Sequence, residues 1–322
     1  MTENKISKVH PELQDVLKKN PSIHYSNKNR WLMQLLISIM PAPKTPEDIS
    51  IKNIKIESRD GDAKIRLRIH QPVNPANTMP VLIWMHGGGY IIGKPEIEDS
   101  LCIQFVRELG ISIVSVDYRL APKHPFPAGL EDCYSALLWA KENSAQFGFD
   151  VDRIGIGGTS AGGGLAAALA QLAHDRNEVS PIFQLLTYPM LDDRTALRTD
   201  IDDSNSPPWS QKSNRFGWES YLGKSIGTDE LPQYAVPARR SDLTGLSPAW
   251  IGVGTLDVFF EEDTTYAQRL KEAGIACELD VIQGAFHGFD VFDPNLPIVQ
   301  EFRRSQISAL RKNLVGEVPK DG

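Results

Sequence analysis

The chain has 322 residues, 41% of them hydrophobic, which suits one large buried sheet with an insertion better than a small module or two separate cores. Its formal net charge of −7 argues against a nucleic-acid partner, because neutralising phosphates needs clustered Lys and Arg. Cys102, Cys133 and Cys277 are scattered with no metal-ligand or redox spacing, which reads as reduced thiols in a cytoplasmic protein.

The first eight residues lack the charged-then-apolar pattern of an export signal, so no secretion is expected. The longest apolar stretch, 31–40, carries Gln34 and Ser38 and stops at Pro41, short of the roughly 20 residues that span a bilayer. Residues 1–45 read as two short helices broken at Asn20-Pro21 and closed by Pro41-Ala42-Pro43. One face gathers Leu13, Val16 and Leu17; the other gathers Trp31, Leu32, Leu35, Leu36 and Ile39. Both faces are expected to cover something: the main core, a substrate pocket as a lid, or a lipid surface.

From Ile51 the period changes to alternation. Ile54 and Ile56, a turn at 59–62, then Ile65, Leu67 and Ile69 make a hairpin with one buried face. The runs 81–85, 111–116, 153–157, 182–186 and 250–253 are continuously apolar, so both of their faces are buried. Helical segments are expected at 100–109, 130–146 and 161–173. This alternation predicts an α/β fold with a mostly parallel central sheet flanked by helices and entered through an antiparallel hairpin. Residues 192–243 break the rhythm with Asp, Ser, Pro and Trp around a short helix at 211–222, and read as an insertion over the catalytic edge of the sheet. The expected organisation is cap helices 1–45, core 46–190, cap insertion 191–243 and core 244–322.

Between the run 153–157 and the helix that follows lies Gly158-Thr159-Ser160-Ala161-Gly162. This G-x-S-x-G turn holds a serine at the apex of a strained strand-to-helix corner, where flanking glycines remove side chains that would collide. A merely tight turn is the plainer alternative. Yet glycine inside a helix costs about 1 kcal/mol relative to alanine, and Gly162, Gly163 and Gly164 are consecutive, so something must offset them. Residues 162–167 also fit a dinucleotide fingerprint, but the match starts inside the helix, and the next strand ends in Thr187-Tyr188-Pro189 without an acid for a ribose. No Lys follows Gly162 as in a phosphate loop, and no His or Cys spacing suggests a metal, so no cofactor is expected.

In open α/β sheets the site lies beyond the carboxyl ends of the strands. The run 81–85 ends in His86-Gly87-Gly88-Gly89, whose backbone N–H groups can converge on an oxyanion, with the N–H of Ala161 contributing another donor. The run 250–253 leads to Asp257, and the last strand, 277–282, leads to His287. The order Ser160, Asp257, His287 matches nucleophile, acid and base on the α/β-hydrolase scaffold. Imidazole titrates near neutral pH and can take the serine proton, while the carboxylate orients it. Glu261, Glu262 and Asp263 read as an acidic cluster at a helix start. His10, His24, His70 and His174 read as structural, His124 as loop-ordering, and His86, with Gly87, as support for the glycine loop.

Together these residues make the chain resemble the hormone-sensitive-lipase-like family of serine esterases, within the α/β-hydrolase fold. The resemblance rests on His86-Gly87-Gly88-Gly89, the run from Asp117 to Pro122, the run from His124 to Ala128, Gly158 to Gly163, Tyr188-Pro189, Asp257 and Phe286-His287-Gly288-Phe289. It covers the chain from about residue 50 onward. It implies ester hydrolysis through an acyl-enzyme with Ser160 as nucleophile, His287 as base and Asp257 as its partner. It also implies an oxyanion hole from the N–H groups of Gly88, Gly89 and Ala161, and a cap made of the N-terminal helices and the insertion. Two positions depart from the family's pattern: Thr159, where Asp or Glu usually precedes the serine, and Val258, where Pro usually follows the acid. The expected activity is a carboxylesterase acting on small or short-acyl esters. A hydrolase dedicated to one natural ester or lactone shares every residue, and a non-catalytic ligand-binding relative should lack the base. The expected partner is a small-molecule ester, with the edge strand 275–282 the candidate for pairing in a homodimer.

Overall fold

The computed structural model describes residues 6–20, 24–61, 63–75 and 78–316. Strands β1 (Ile49–Glu57) and β2 (Lys64–Pro72) form the antiparallel entry hairpin, with Ile65, Leu67 and Ile69 of β2 buried as their alternation requires. Of the expected turn at 59–62, Asp62 lies outside the described residues. The strands β3 (Met79–Met85), β4 (Ser112–Asp117), β5 (Phe149–Thr159), β6 (Phe183–Thr187), β7 (Ala249–Gly254) and β8 (Cys277–Ile282) complete one 8-stranded sheet. Its order is β1-β2-β4-β3-β5-β6-β7-β8, antiparallel through the β2–β4 pair and parallel from β4 to β8. This is the α/β-hydrolase architecture. The strand order reverses at β3, between β4 and β5, so the loops leaving β3 and β5 diverge and open a crevice.

Eight helices need naming: α1 (Gln14–Lys19), α2 (Arg30–Ile39), α3 (Asp99–Leu109), α4 (Ala128–Glu142), α5 (Ala161–Arg176), α6 (Gln211–Leu222), α7 (Phe260–Glu272) and α8 (Pro297–Leu310). Along β3, Leu82 and Trp84 point to one side of the sheet with α3 and α8, while Val81, Ile83 and Met85 point to the other with α4, α5 and α7. Two apolar layers therefore sandwich the central strands, which explains why their sequences run apolar without alternation.

Two boundaries differ from the sequence expectation. β5 begins at Phe149 rather than 153, because its first residues, around Asp150 and Asp152, are charged and lie outside the buried run. The helix expected at 130–146 is divided in two, Ala128–Glu142 and Ser144–Phe147, at Asn143, whose side chain donates to the Trp139 carbonyl at 2.9 Å.

The larger correction concerns α2. Of the three things this face is expected to cover, the main core is excluded: Trp31, Leu32, Leu35, Leu36 and Ile39 are exposed, Ile39 at 69%. The helix instead turns inward the face of Arg30, Met33, Gln34 and Ile37, with Ile37 packed against the core. The Gln34 amide donates to the Gly93 carbonyl at 3.1 Å and accepts the Gly93 N–H at 2.8 Å, and the Arg30 guanidinium donates to the Ile91 carbonyl at 3.4 Å. By contrast, Leu13 and Leu17, before and within α1, are buried.

Candidate active site

Ser160 links β5 to α5 with φ 54° and ψ −118°, a corner that an L residue adopts only when its surroundings hold it there. The surroundings are three backbone hydrogen bonds: Ser160 N–H to Thr187 O at 2.9 Å, and the N–H groups of Gly164 and Met190 to Ser160 O, each at 3.0 Å. The glycines serve close approach. A Cβ on Gly162 would lie 2.0 Å from the Met85 carbonyl oxygen, and one on Gly164 would lie 2.2 Å from that of Met190. Contact with the end of β3 and with the chain after β6 therefore offsets their low helix propensity.

The loops after β7 and β8 are tied to each other. Leu256 N–H donates to Ala285 O at 2.9 Å and Gly284 N–H to the Thr255 hydroxyl at 2.9 Å, so Asp257 and His287 arrive on a common support. His287 Nδ1 lies 2.8 Å from Asp257 Oδ2, and Nε2 lies 2.9 Å from Ser160 Oγ. The second Asp257 oxygen accepts the Phe259 N–H at 2.9 Å. Because a carboxylate only accepts, Nδ1 carries the proton and Nε2 is left as acceptor for the serine O–H. The rings of Tyr188 and Phe259 meet the imidazole edgewise at 4.8 and 5.0 Å and close its flanks. Such a chain can pass the serine proton to Nε2 as Oγ attacks an electrophile.

The glycine loop after β3 stands opposite. His86 is fully buried, stacks on Tyr118 at 4.3 Å and is bonded through Nδ1 to the Gly87 carbonyl at 2.7 Å; burial pushes its pKa below the ordinary value, toward the neutral ring. The Tyr118 hydroxyl donates to the His86 carbonyl at 2.7 Å. Gly88 and Gly89 take positive φ values of 123° and 59°, which turn their N–H groups out of the strand direction. Among the described residues, the N–H groups of Gly88, Gly89 and Ala161 donate to no other group. Three donors are thus left without an acceptor, that of Ala161 next to Ser160 in the chain.

Several side chains at this edge were not singled out by sequence reasoning. Trp209, from the 191–243 segment, packs on Gly89 so closely that a Cβ there would lie 1.9 Å from its ring. Trp209 in turn meets the Tyr25 ring at 5.6 Å, while His24 Nδ1 bonds the Ser210 hydroxyl at 2.7 Å and Tyr25 N–H donates to that of Ser213 at 3.0 Å. Glu262, read in the sequence as part of a helix-start cluster, accepts the N–H groups of Leu191 and Asp192 at 2.7 and 3.2 Å. Burial pushes the carboxyls of Glu262 and Asp263 well above the usual carboxylate range. A cavity of about 1080 Å³ lies away from this chemistry, lined by Asp175, Arg198, Arg239, Arg240 and Glu261 but by none of Ser160, Asp257 or His287. Arg194, Arg198, Arg239 and Arg240 of its lining are paired with Asp192, Asp200, Glu261, Asp193 and Asp175, and Arg269 donates to the carbonyls of Ala238, Arg240 and Ser241, so it offers no unpaired cationic cluster.

The sheet, the strand-to-helix serine and the imidazole beyond the last strand define an α/β hydrolase. The family model described as alpha/beta hydrolase fold matches residues 82–291. Carboxylesterase NlhH of Mycobacterium tuberculosis is 33% identical over 276 residues, which cover 84% of this chain and 86% of that protein. Ethyl acetate hydrolase of Pseudomonas putida is 30% identical over 255 residues, 78% of this chain and 79% of its own length. A solved structure described as bacterial heroin esterase superposes with a TM-score of 0.89 at 34% identity, covering 96% of this chain and 99% of that one. The esterase LipW from Mycobacterium marinum gives 0.82 at 30% identity, covering 95% and 96%. This chain belongs to the hormone-sensitive-lipase-like carboxylic ester hydrolases of the α/β-hydrolase fold. Among the described residues no helix is long and apolar enough to cross a membrane.

Proposed function

We propose that the chain hydrolyses small or short-acyl carboxylic esters through an acyl-enzyme on Ser160. The observation that carries this reading is the unbroken hydrogen-bond chain from Ser160 Oγ through His287 to Asp257. Ser160 Oγ attacks the ester carbonyl while Nε2 of His287 takes its proton, and the carbonyl oxygen becomes an oxyanion. The N–H groups of Gly88, Gly89 and Ala161 receive that oxyanion, each such donor being worth about 2.7–4 kcal/mol in the transition state. Collapse breaks the C–O bond, and the imidazolium returns its proton to the departing alkoxide, which leaves as the alcohol. Water repeats the sequence on the acyl-enzyme and frees the acid. His86 and Gly87 support the loop that carries the donors.

The described residues of 1–45, together with 191–243, form a cap over this edge, a reading supported by the contacts of His24 and Tyr25 with Ser210, Ser213 and Trp209; residues 1–5 and 21–23 of the expected cap lie outside the described residues. Trp209 against Gly89 narrows the space beside the oxyanion donors, which favours compact substrates. The edge position of β8 supports pairing between two copies, and the buried thiols of Cys102 and Cys133 support a reducing, cytoplasmic setting. The test is hydrolysis of p-nitrophenyl butyrate with a pre-steady-state burst, abolished in Ser160→Ala by about 10⁶ in kcat. An unchanged rate in that variant overturns the mechanism.

A further inference from the structure

One carboxylate joins the two halves of the site. Glu98 closes the 3-10 turn Pro95–Glu98 that leads into α3, and its side chain reaches back beneath the glycine loop. Its Oε1 accepts the Gly87 N–H at 2.9 Å and also the hydroxyl of Thr159, the residue before the nucleophile. Its Oε2 accepts the indole N–H of Trp84, on the last turn of β3 before the loop. Three donors from three segments thus converge on one group. None of the three is a cation, and among the described residues Glu98 makes no ion pair; Arg303, whose charge acts on it, is itself paired with Asp290. Burial pushes the Glu98 carboxyl above its ordinary range and the three donors pull it back. Enclosing a carboxylate away from a counter-ion is unfavourable, so stability alone does not explain its presence.

We propose that Glu98 is a positioning residue that sets the distance between the oxyanion donors and the nucleophile, by clamping Gly87 N–H and the Thr159 hydroxyl onto a single oxygen. This rests on the ester-hydrolysis reading above and deepens it. Gly88 and Gly89, the oxyanion donors of that reading, follow directly on Gly87, so holding the Gly87 N–H on Glu98 anchors the loop at the residue before them. A Cβ on Gly87 would lie 3.0 Å from the Thr159 hydroxyl oxygen, so the loop and the elbow are already in contact and a lost clamp lets them slide rather than collapse inward. Only an acceptor-only group satisfies all three donors; a carboxamide turns an N–H₂ toward at least one of them.

The experiment compares kcat, KM and thermal melting for the full chain, Glu98→Gln, Thr159→Val and the double variant, on p-nitrophenyl butyrate, with active sites counted by a fluorophosphonate. Glu98→Gln is expected to lose about 10²-fold in kcat with KM within about twofold, the signature of donors misplaced only in the transition state. Affinity for a trifluoromethyl ketone, which forms an oxyanion adduct on the serine, should fall in parallel with kcat. Thr159→Val removes one donor and should lose about tenfold; the double variant should lose less than the product, because both changes break one clamp. Wild-type kcat per counted site in Glu98→Gln overturns the proposal, as do strictly multiplicative losses. Should Glu98→Gln fail to fold, Thr159→Val decides alone: an unchanged kcat and ketone affinity overturn the proposal. Failure of the wild-type chain to react with the fluorophosphonate or turn over any ester overturns instead the reading on which the proposal rests.

Discussion

Helices α5 and α2 flank the glycine loop and are held in opposite ways. From Ala161 to Ala173 every residue of α5 is buried, and its first turn is pressed onto the carbonyls of Met85 and Met190. In α2 no residue is fully buried; Gln34 and Arg30 attach it to Gly93 and Ile91, Lys94 donates to the carbonyls of Ser38 and Met40 at its end, and Ile37 alone of its apolar residues packs on the core. One helix is fixed by shape, the other by a few polar contacts. From burial and contacts alone, the helix carrying Ser160 is expected to open only with global unfolding, and α2 at a smaller free-energy cost.

That contrast can be sharpened by separating chemistry from packing near α5. Asp257→Asn keeps the volume and withdraws the acceptor for His287 Nδ1; kcat should fall by about 10⁴ while the melting temperature changes little. Steady-state rates and calorimetry on one preparation check both halves. Leu169→Ala should do the reverse: it opens a cavity in the middle of a fully buried helix, so urea unfolding should register a loss of about 2–5 kcal/mol, with kcat of the folded fraction retained.

The loop between the two helices supplies a pH test. Burial holds His86 neutral, with a pKa below its ordinary value. Below about pH 6.5 the unfolded chain takes up a proton there that the native chain refuses, so stability falls as pH falls. Replacing it, His86→Gln, should flatten the stability profile between pH 7 and pH 5 by up to about 1.4 kcal/mol per pH unit. A profile parallel to that of the wild type would show that His86 charges freely in the fold. The smallest effect belongs to α2: Leu36→Gln, on its outward face, should change unfolding free energy by no more than about 0.5 kcal/mol. A loss comparable with that of Leu169→Ala would break the comparison.

Much of the catalytic edge was legible because the sheet writes itself plainly. Ser160 and Asp257 each follow an apolar run and His287 follows the last strand, so their common edge could be read from the order of the strands. Glu98 could not be read in this way. Its partners lie 14, 11 and 61 residues distant, and only strand order and the climb into α3 bring them together. Glu262 sat among neighbours that explained it too easily by the helix dipole; its real partners, the N–H groups after β6, belong to another part of the chain. For α2 the period gave the helix and divided its faces, but period carries no information about which face turns inward. Two hydrogen bonds from Gln34 to one glycine decided that against five large apolar side chains.

The reciprocal amide pairing of Gln34 with Gly93 works as a latch between the first forty residues and the loop beside the nucleophile. Anyone recombining this chain with a relative would have to carry both latch residues across the junction, since a foreign leading segment lacking the amide leaves the glycine's N–H and C=O facing nothing. Randomising Trp31, Leu35, Leu36 and Ile39 while freezing Arg30 and Gln34 offers the gentler route, because it recasts the exposed face of α2 without unhooking it.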